Sequence, residues 1–100
     1  MVRWSAPAKT DLRHIHGYIA QDSRHYAKKV TDEILEKSRT LDVFPLKGRI
    51  VPEIEDANVR EVFLYSYRLI YEIRAEMIYV LAVAHGKREL TLLDIEQLRK

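Results

Sequence analysis

Arg68, His85, Lys87 and Arg88 are the residues whose types and spacing could do chemistry together. Arg68 lies in the run Tyr67–Arg74 and His85 just after the apolar run Ile78–Ala84; both runs read as strands. Arg74-Ala-Glu-Met77 between them reads as a tight turn. With Ala75 and Glu76 as the turn residues, Arg68 is expected opposite Val83 and Ser66 opposite His85. Arg68 and His85 would then be diagonal neighbours on one sheet face. Lys87 and Arg88 follow at once, completing a cationic cluster with one titratable imidazole. Arginine offers a bidentate fork and lysine a point charge, so the cluster suits phosphate or carboxylate. His85 acting as a general base could activate a ribose 2′-OH while Arg68 and Arg88 stabilise the phosphorane. A plainer reading is also open. His85 can be a hydrogen-bonded strand-end residue, and Arg68, set among Leu69, Ile70 and Tyr71, needs a partner such as Glu61 or Glu72.

Other chemistries find little support. His14, His16 and His25 lack the Cys or carboxylate spacing of a metal site, and the chain has no cysteine. There is no Gly-rich phosphate loop and no Ser/His/Asp grouping, so no metal, cofactor or small-molecule substrate is expected. The six tyrosines fall mostly at strand or core-facing positions and read as packing.

The elements that must position the cluster follow from periodicity. Residues 1–4 read as a short edge strand. Ser5 caps a helix with Pro7 in its first turn, and Ala8, Leu12, Ile15 and Ile19 form its apolar stripe to about Gln21. Asp22-Ser23 opens a second helix with Ala27, Val30, Ile34 and Leu41 inside. Lys28/Asp32, Lys29/Glu33 and Glu33/Lys37 lie four apart on its solvated face. Phe44-Pro45 ends it. Residues 46–58 read as a long surface loop, Val59–Leu64 as the first strand of a three-stranded meander, and Thr91 with Asp94 as the capping box of a last helix. Leu92, Ile95 and Leu98 form that helix's buried edge. The fold class is therefore α+β: an N-terminal helical hairpin on a small antiparallel sheet, with a short C-terminal helix. The hairpin covers one sheet face and the other is expected to stay concave and open.

One hundred residues support one domain, 1–100, and 47% hydrophobic with 32% charged residues is a globular composition. No apolar run approaches the roughly 20 residues of a membrane span, and the first residues lack a secretory pattern, so a cytoplasmic protein is expected. The net charge is +2, but residues 1–50 carry ten Lys and Arg against six Asp and Glu, a balance of +4. That asymmetry is too mild to indicate nucleic acid and suits an acidic protein partner equally well.

Taken in order, several short markers resemble the RelE/ParE superfamily of type II toxin–antitoxin toxins over nearly the whole length. They are Trp4, Ala8, Asp11-Leu12, Ile15 and Tyr18-Ile19, then Leu41, Phe44-Pro45 and Gly48-Arg49. Val51-Pro52-Glu53, Arg60-Glu61, Tyr67-Arg68-Leu69-Ile70-Tyr71 and His85-Gly86-Lys87-Arg88 complete them. The resemblance implies a toxin of the plasmid-stabilisation type that arrests growth and is neutralised by a cognate antitoxin. It divides on the target. RelE-like members cleave mRNA on ribosomes, and Arg68 and Arg88 match their two catalytic arginines. The strand basic residues are replaced here by Val59-Arg60-Glu61-Val62, and no tyrosine occupies the C-terminal catalytic position, which holds Thr91–Asp94. His85 with Glu53 or Glu61 are imperfect stand-ins for the His and Glu of other family nucleases. The Gly48-Arg49 to Glu61 segment and His85-Gly86 look more like the ParE branch. A ParE-like inhibitor of DNA gyrase or topoisomerase is therefore the reading adopted, with Arg60, Lys87 and Arg49 as target- or phosphate-binding residues. The alternatives are a RelE-like ribosome-dependent endoribonuclease using Arg68, Arg88 and His85, with an incomplete catalytic set, and an inactive orphan domain of the same fold.

Overall fold

The computed structural model describes residues 1–88 and 90–99. The N-terminal strand β1 (Val2–Trp4) leads into helices α1 (Ala6–Ala20) and α2 (Arg24–Val43). The Ser5 and Ser23 hydroxyls accept from the Ala8 and Tyr26 N–H groups, both at 3.1 Å, and so start the two helices. Helix α2 ends at Phe44 before Pro45, as the sequence requires.

The expected long loop is partly structured. Pro45–Lys47 form a 3-10 turn, and Arg49–Ile50 form a short strand, β2. Strands β3 (Val59–Leu64), β4 (Tyr67–Arg74) and β5 (Met77–His85) follow, then helix α3 (Leu92–Leu98) with the Thr91/Asp94 capping box. The sheet order is β1-β5-β4-β3-β2, and β1 runs parallel to β5 while the other pairs are antiparallel. The sheet is thus five-stranded and mixed rather than a three-stranded meander.

The hairpin α1–α2 packs on one face through Ala8, Ile15, Val30, Ile34 and Leu41, against Val62, Leu69, Tyr71, Ile78, Val80 and Val83. Among the pairs expected on the solvated side of α2, Lys28–Asp32 forms at 2.5 Å. Glu33 instead accepts from the Tyr65 hydroxyl at the β3–β4 turn.

Two expectations fail, each for a definite reason. The second sheet face is not open. Val51, Val59, Ile70, Leu81, Ala82, Leu90 and Ile95 form a second small core there, under residues 51–58 and α3. Leu92, expected on the buried edge of α3, is 51% exposed, because a seven-residue helix seats little beyond Ile95. The second failure is register. Near the turn, Arg74 pairs with Met77 and Tyr71 with Val80, as Ala75 and Glu76 at the turn dictate. A β-bulge between Ile70 and Tyr71 then shifts the ladder, so Arg68 pairs with Ala84 and Tyr67 with His85. One extra residue reverses which β5 side chains share a face with Arg68.

The bulge coincides with the end of β1. Beyond Val80, strand β5 has no strand neighbour on its outer side, and its backbone groups need other partners. Helix α1 supplies them: the Ser5 hydroxyl donates to the Leu81 carbonyl at 3.1 Å, and the Asp11 carboxylate accepts from the Val83 N–H at 3.0 Å.

Candidate functional site

Arg68 lies on the face of β4 that carries Ile70 and Glu72, and the second core closes over it. Its residue is 5% exposed. Glu61, diagonally across on β3 opposite Ile70 and with a fully buried side chain, takes Nη2 at 2.5 Å and Nε at 2.8 Å through one oxygen. The other Glu61 oxygen accepts from Arg49 Nε at 2.5 Å. Glu53, on the loop above, approaches the guanidinium at 3.3 Å, and the Arg88 carbonyl accepts from Nη1 at 3.3 Å. The result is an alternating chain, Arg49–Glu61–Arg68–Glu53, running from the β2 edge into the second core. Burial alone would raise the Glu53 carboxyl. Hydrogen bonds and charge from Arg68, with backbone N–H groups, outweigh it and hold the carboxyl below the usual range.

His85 sits elsewhere. Its ring meets Tyr67 edge-on at 6.2 Å, and its Nδ1 accepts from the Lys87 N–H at 3.2 Å. It opens into a groove of about 510 Å3 lined by Asp11, His14, Tyr18 and Tyr67, on the α1 side of the sheet. Burial pushes the Asp11 carboxyl up, against the opposing pull of the Val83 N–H, Arg88 and His14. The expected Arg68–His85 pair is therefore not formed: the bulge puts the two side chains on opposite faces.

The remaining expected residues divide by what already holds them. Arg60 donates from Nε to the Ala57 carbonyl and from Nη1 to the Gly48 carbonyl, both at 2.9 Å, and so ties down the loop. Arg49 stands over the exposed Phe63 ring at 5.1 Å and keeps 60% of its side chain in solvent. Lys87 is exposed beside His85, at a hollow shared with Phe63, Tyr65 and Ser66. Arg88 is exposed and lines a separate hollow with Asp11 and Asp94. The structure thus gathers Arg49, Arg68 and the Arg88 backbone around two glutamates, and leaves His85 and Lys87 at the strand end.

Sequence reasoning offered Glu61 or Glu72 as the structural partner of Arg68, because a strand arginine needs one; Glu61 takes that place, and Glu72 pairs with Arg74 and Arg99. It missed Glu53 in that role, since loop residues have no periodicity to place them. It also missed Tyr71, whose hydroxyl donates to the Pro45 carbonyl at 2.6 Å and accepts from the Gly48 N–H at 3.0 Å. The close Gly48–Tyr spacing required there leaves no mark in composition or period.

Among the described residues, no helix is long and apolar enough to cross a membrane. None of the curated proteins compared matches the chain. The fold is shared with the toxin–antitoxin structures of chromosomal ParDE from P. aeruginosa and of RelBE2 from Mycobacterium tuberculosis. The first matches with a TM-score of 0.72 and 21% identity over 86% of this chain and 95% of that one. The second matches with a TM-score of 0.64 and 24% identity over 85% and 95%. The family model of the ParE toxin of the type II toxin–antitoxin system, parDE, matches residues 2–90. With nearly its whole length matched, the chain belongs to the ParE toxin family of type II toxin–antitoxin systems.

Proposed function

We propose that this toxin is cytoplasmic, acts by binding DNA gyrase or topoisomerase rather than by cleaving RNA, and is neutralised by a cognate antitoxin in a plasmid-stabilisation system. The observation that carries the reading is Arg68. A guanidinium that is to stabilise a phosphorane must reach the scissile phosphate, yet this one is buried, held by Glu61 and Glu53, and on the opposite face from His85. The acid/base pair of a ribonuclease is therefore not assembled. Lys87 is exposed, and Arg49, though its Nε is paired with Glu61, keeps most of its side chain in solvent, so these two can meet a large partner, while Arg60 and Arg68 are held internally. The +4 balance of residues 1–50 suits an acidic antitoxin segment.

The test is a paired assay with purified toxin. Gyrase supercoiling should be inhibited, or cleavage complexes trapped, while mRNA on ribosomes stays intact. Expression should arrest growth, and co-expression of the adjacent reading frame should relieve it. Unaffected gyrase at saturating toxin, together with mRNA cleavage that Arg68→Ala or His85→Ala abolishes, would establish the nuclease instead. Loss of both activities with no growth arrest would indicate an inactive domain.

A further inference from the structure

At the junction of α2 and the 3-10 turn, Val43, Phe44, Pro45, Leu46 and Lys47 line a hollow of about 630 Å3. Val43 is 71% exposed, Phe44 63% and Leu46 68%. Single exposed apolar residues are ordinary on a protein surface, but three large ones within four positions mark an interaction site. Their presentation is fixed by the backbone. The Phe44 N–H donates to the Thr40 carbonyl at 3.0 Å, and the Lys47 N–H to the Phe44 carbonyl at 3.1 Å. The Tyr71 hydroxyl grips Pro45 and Gly48 from beneath. A partner docking here would meet a knuckle already in shape, with little backbone ordering left to oppose binding.

Charge indicates what that partner is. Lys47 lines the hollow, and Lys37, on the last turns of α2, is close enough to feel its charge. Among the described residues neither ammonium pairs with a carboxylate. Two adjacent cations without a counter-ion at the rim of an apolar hollow present the complement of a carboxylate beside a hydrophobic side chain. The Lys37 ammonium is held below its usual range by its partial burial and by Lys47 beside it, so a carboxylate there would relieve a standing repulsion.

We infer that the Val43–Lys47 knuckle is the docking surface for an acidic amphipathic segment of the antitoxin. One aliphatic or aromatic side chain of that segment fills the hollow, and a carboxylate bridges Lys37 and Lys47. The inference rests on the antitoxin reading above and specifies its surface.

The experiment measures binding of the purified product of the adjacent reading frame to the full chain by titration calorimetry, at two salt concentrations. Phe44→Ser should weaken binding by about thirtyfold or more, as truncation of a central aromatic anchor does. The double variant Lys37→Glu, Lys47→Glu should weaken it by about tenfold or more and flatten the salt dependence. Lys9→Glu with Arg24→Glu makes the same change in net charge at exposed positions elsewhere, and should cost less than about threefold. Unchanged thermal melting of each variant shows that the fold survives. Binding equal to wild type in both knuckle variants overturns the inference while leaving the antitoxin reading standing. So does a Phe44→Ser effect confined to self-association in sedimentation, or to gyrase inhibition. Failure of the unaltered chain to bind overturns both readings.

Discussion

At the scale of single residues, the chain Arg49–Glu61–Arg68–Glu53 contains two carboxylates of very different standing. Glu61 has no solvent exposure and makes the short contacts to Arg68 and Arg49. Glu53 is 32% exposed at its side chain and sits at 3.3 Å. Removing one member of a buried ion pair strands the other charge, at a cost of about 3–5 kcal/mol. Glu61→Gln leaves Arg68 only the longer, partly exposed Glu53 contact and takes a buried partner from Arg49, so a loss toward the lower end of that range, about 3 kcal/mol, is expected in denaturant titration. Glu53→Gln should cost far less, because water screens the half-exposed pair. The two carboxyls also separate by pH. Glu53 is held below the ordinary glutamate range, so its stabilisation is complete above that range and fades as pH falls through the lowered value. The wild type and Glu53→Gln should accordingly differ at neutral pH and converge in acid. A difference that persists undiminished at acid pH would mean that Glu53 acts by packing and not by charge.

At the scale of elements, the connection from α2 to β2 is organised by one buried tyrosine. A Cβ on Gly48 would meet the Tyr71 hydroxyl at 2.6 Å and the Glu61 carbonyl at 2.7 Å. Neither can yield, because the phenol is already bonded on both sides and the carbonyl belongs to β3. Gly48→Ala should lose about 1–3 kcal/mol, in the range of overpacked core sites. Tyr71→Phe keeps the ring and leaves the Gly48 N–H unpartnered, so about 1–3 kcal/mol is expected from chemical denaturation. Near-neutral Gly48→Ala would mean that the connection shifts as a unit. Helix boundaries, caps and the apolar stripes at Ala8–Ile19 and Ala27–Leu41 were legible in the sequence, because capping and 3.6-residue periodicity are local physics. The bulge was not. Strand β5 is apolar on both faces from Ile78 to Ala84, so no alternation betrays where an extra residue enters, and the groups that take up its freed backbone, Ser5 and Asp11, lie more than 70 residues away. That single residue decided whether Arg68 and His85 could form a site. The second core was hidden for a related reason: Val51 and Ile54 lie in an aperiodic loop among breakers, and although Ile95 reads as buried, nothing local says which surface its helix covers.

At the scale of the whole molecule, the two sheet faces are covered very unequally. Two long helices hold the first, whereas residues 51–58 and a seven-residue helix hold the second. A helix as short as α3 has no independent stability in water and exists through its docking. Besides Leu90 and Ile95, that docking runs through Arg99. Its guanidinium reaches Glu72 at 2.5 Å and Asp56 at 3.3 Å, and its carbonyl accepts from Arg74 Nη2 at 2.7 Å. Glu72 is almost fully buried yet keeps Arg74 as a second partner, so losing Arg99 does not strand it. Arg99→Ala should therefore release α3 locally without unfolding the protein. Amide hydrogen exchange should accelerate about tenfold over Leu92–Leu98, equivalent to about 1.4 kcal/mol, while α1 and α2 keep their protection. Equal acceleration in α1, α2 and α3 would show one cooperative unit and remove the distinction between the two cores. Selective acceleration would make the Glu53 side of the Arg68 cluster the less stable one, because the Arg88 carbonyl that accepts from Arg68 lies on the segment that leads into α3. Exposure of Arg68 would then depend on whether that lightly held cover is in place.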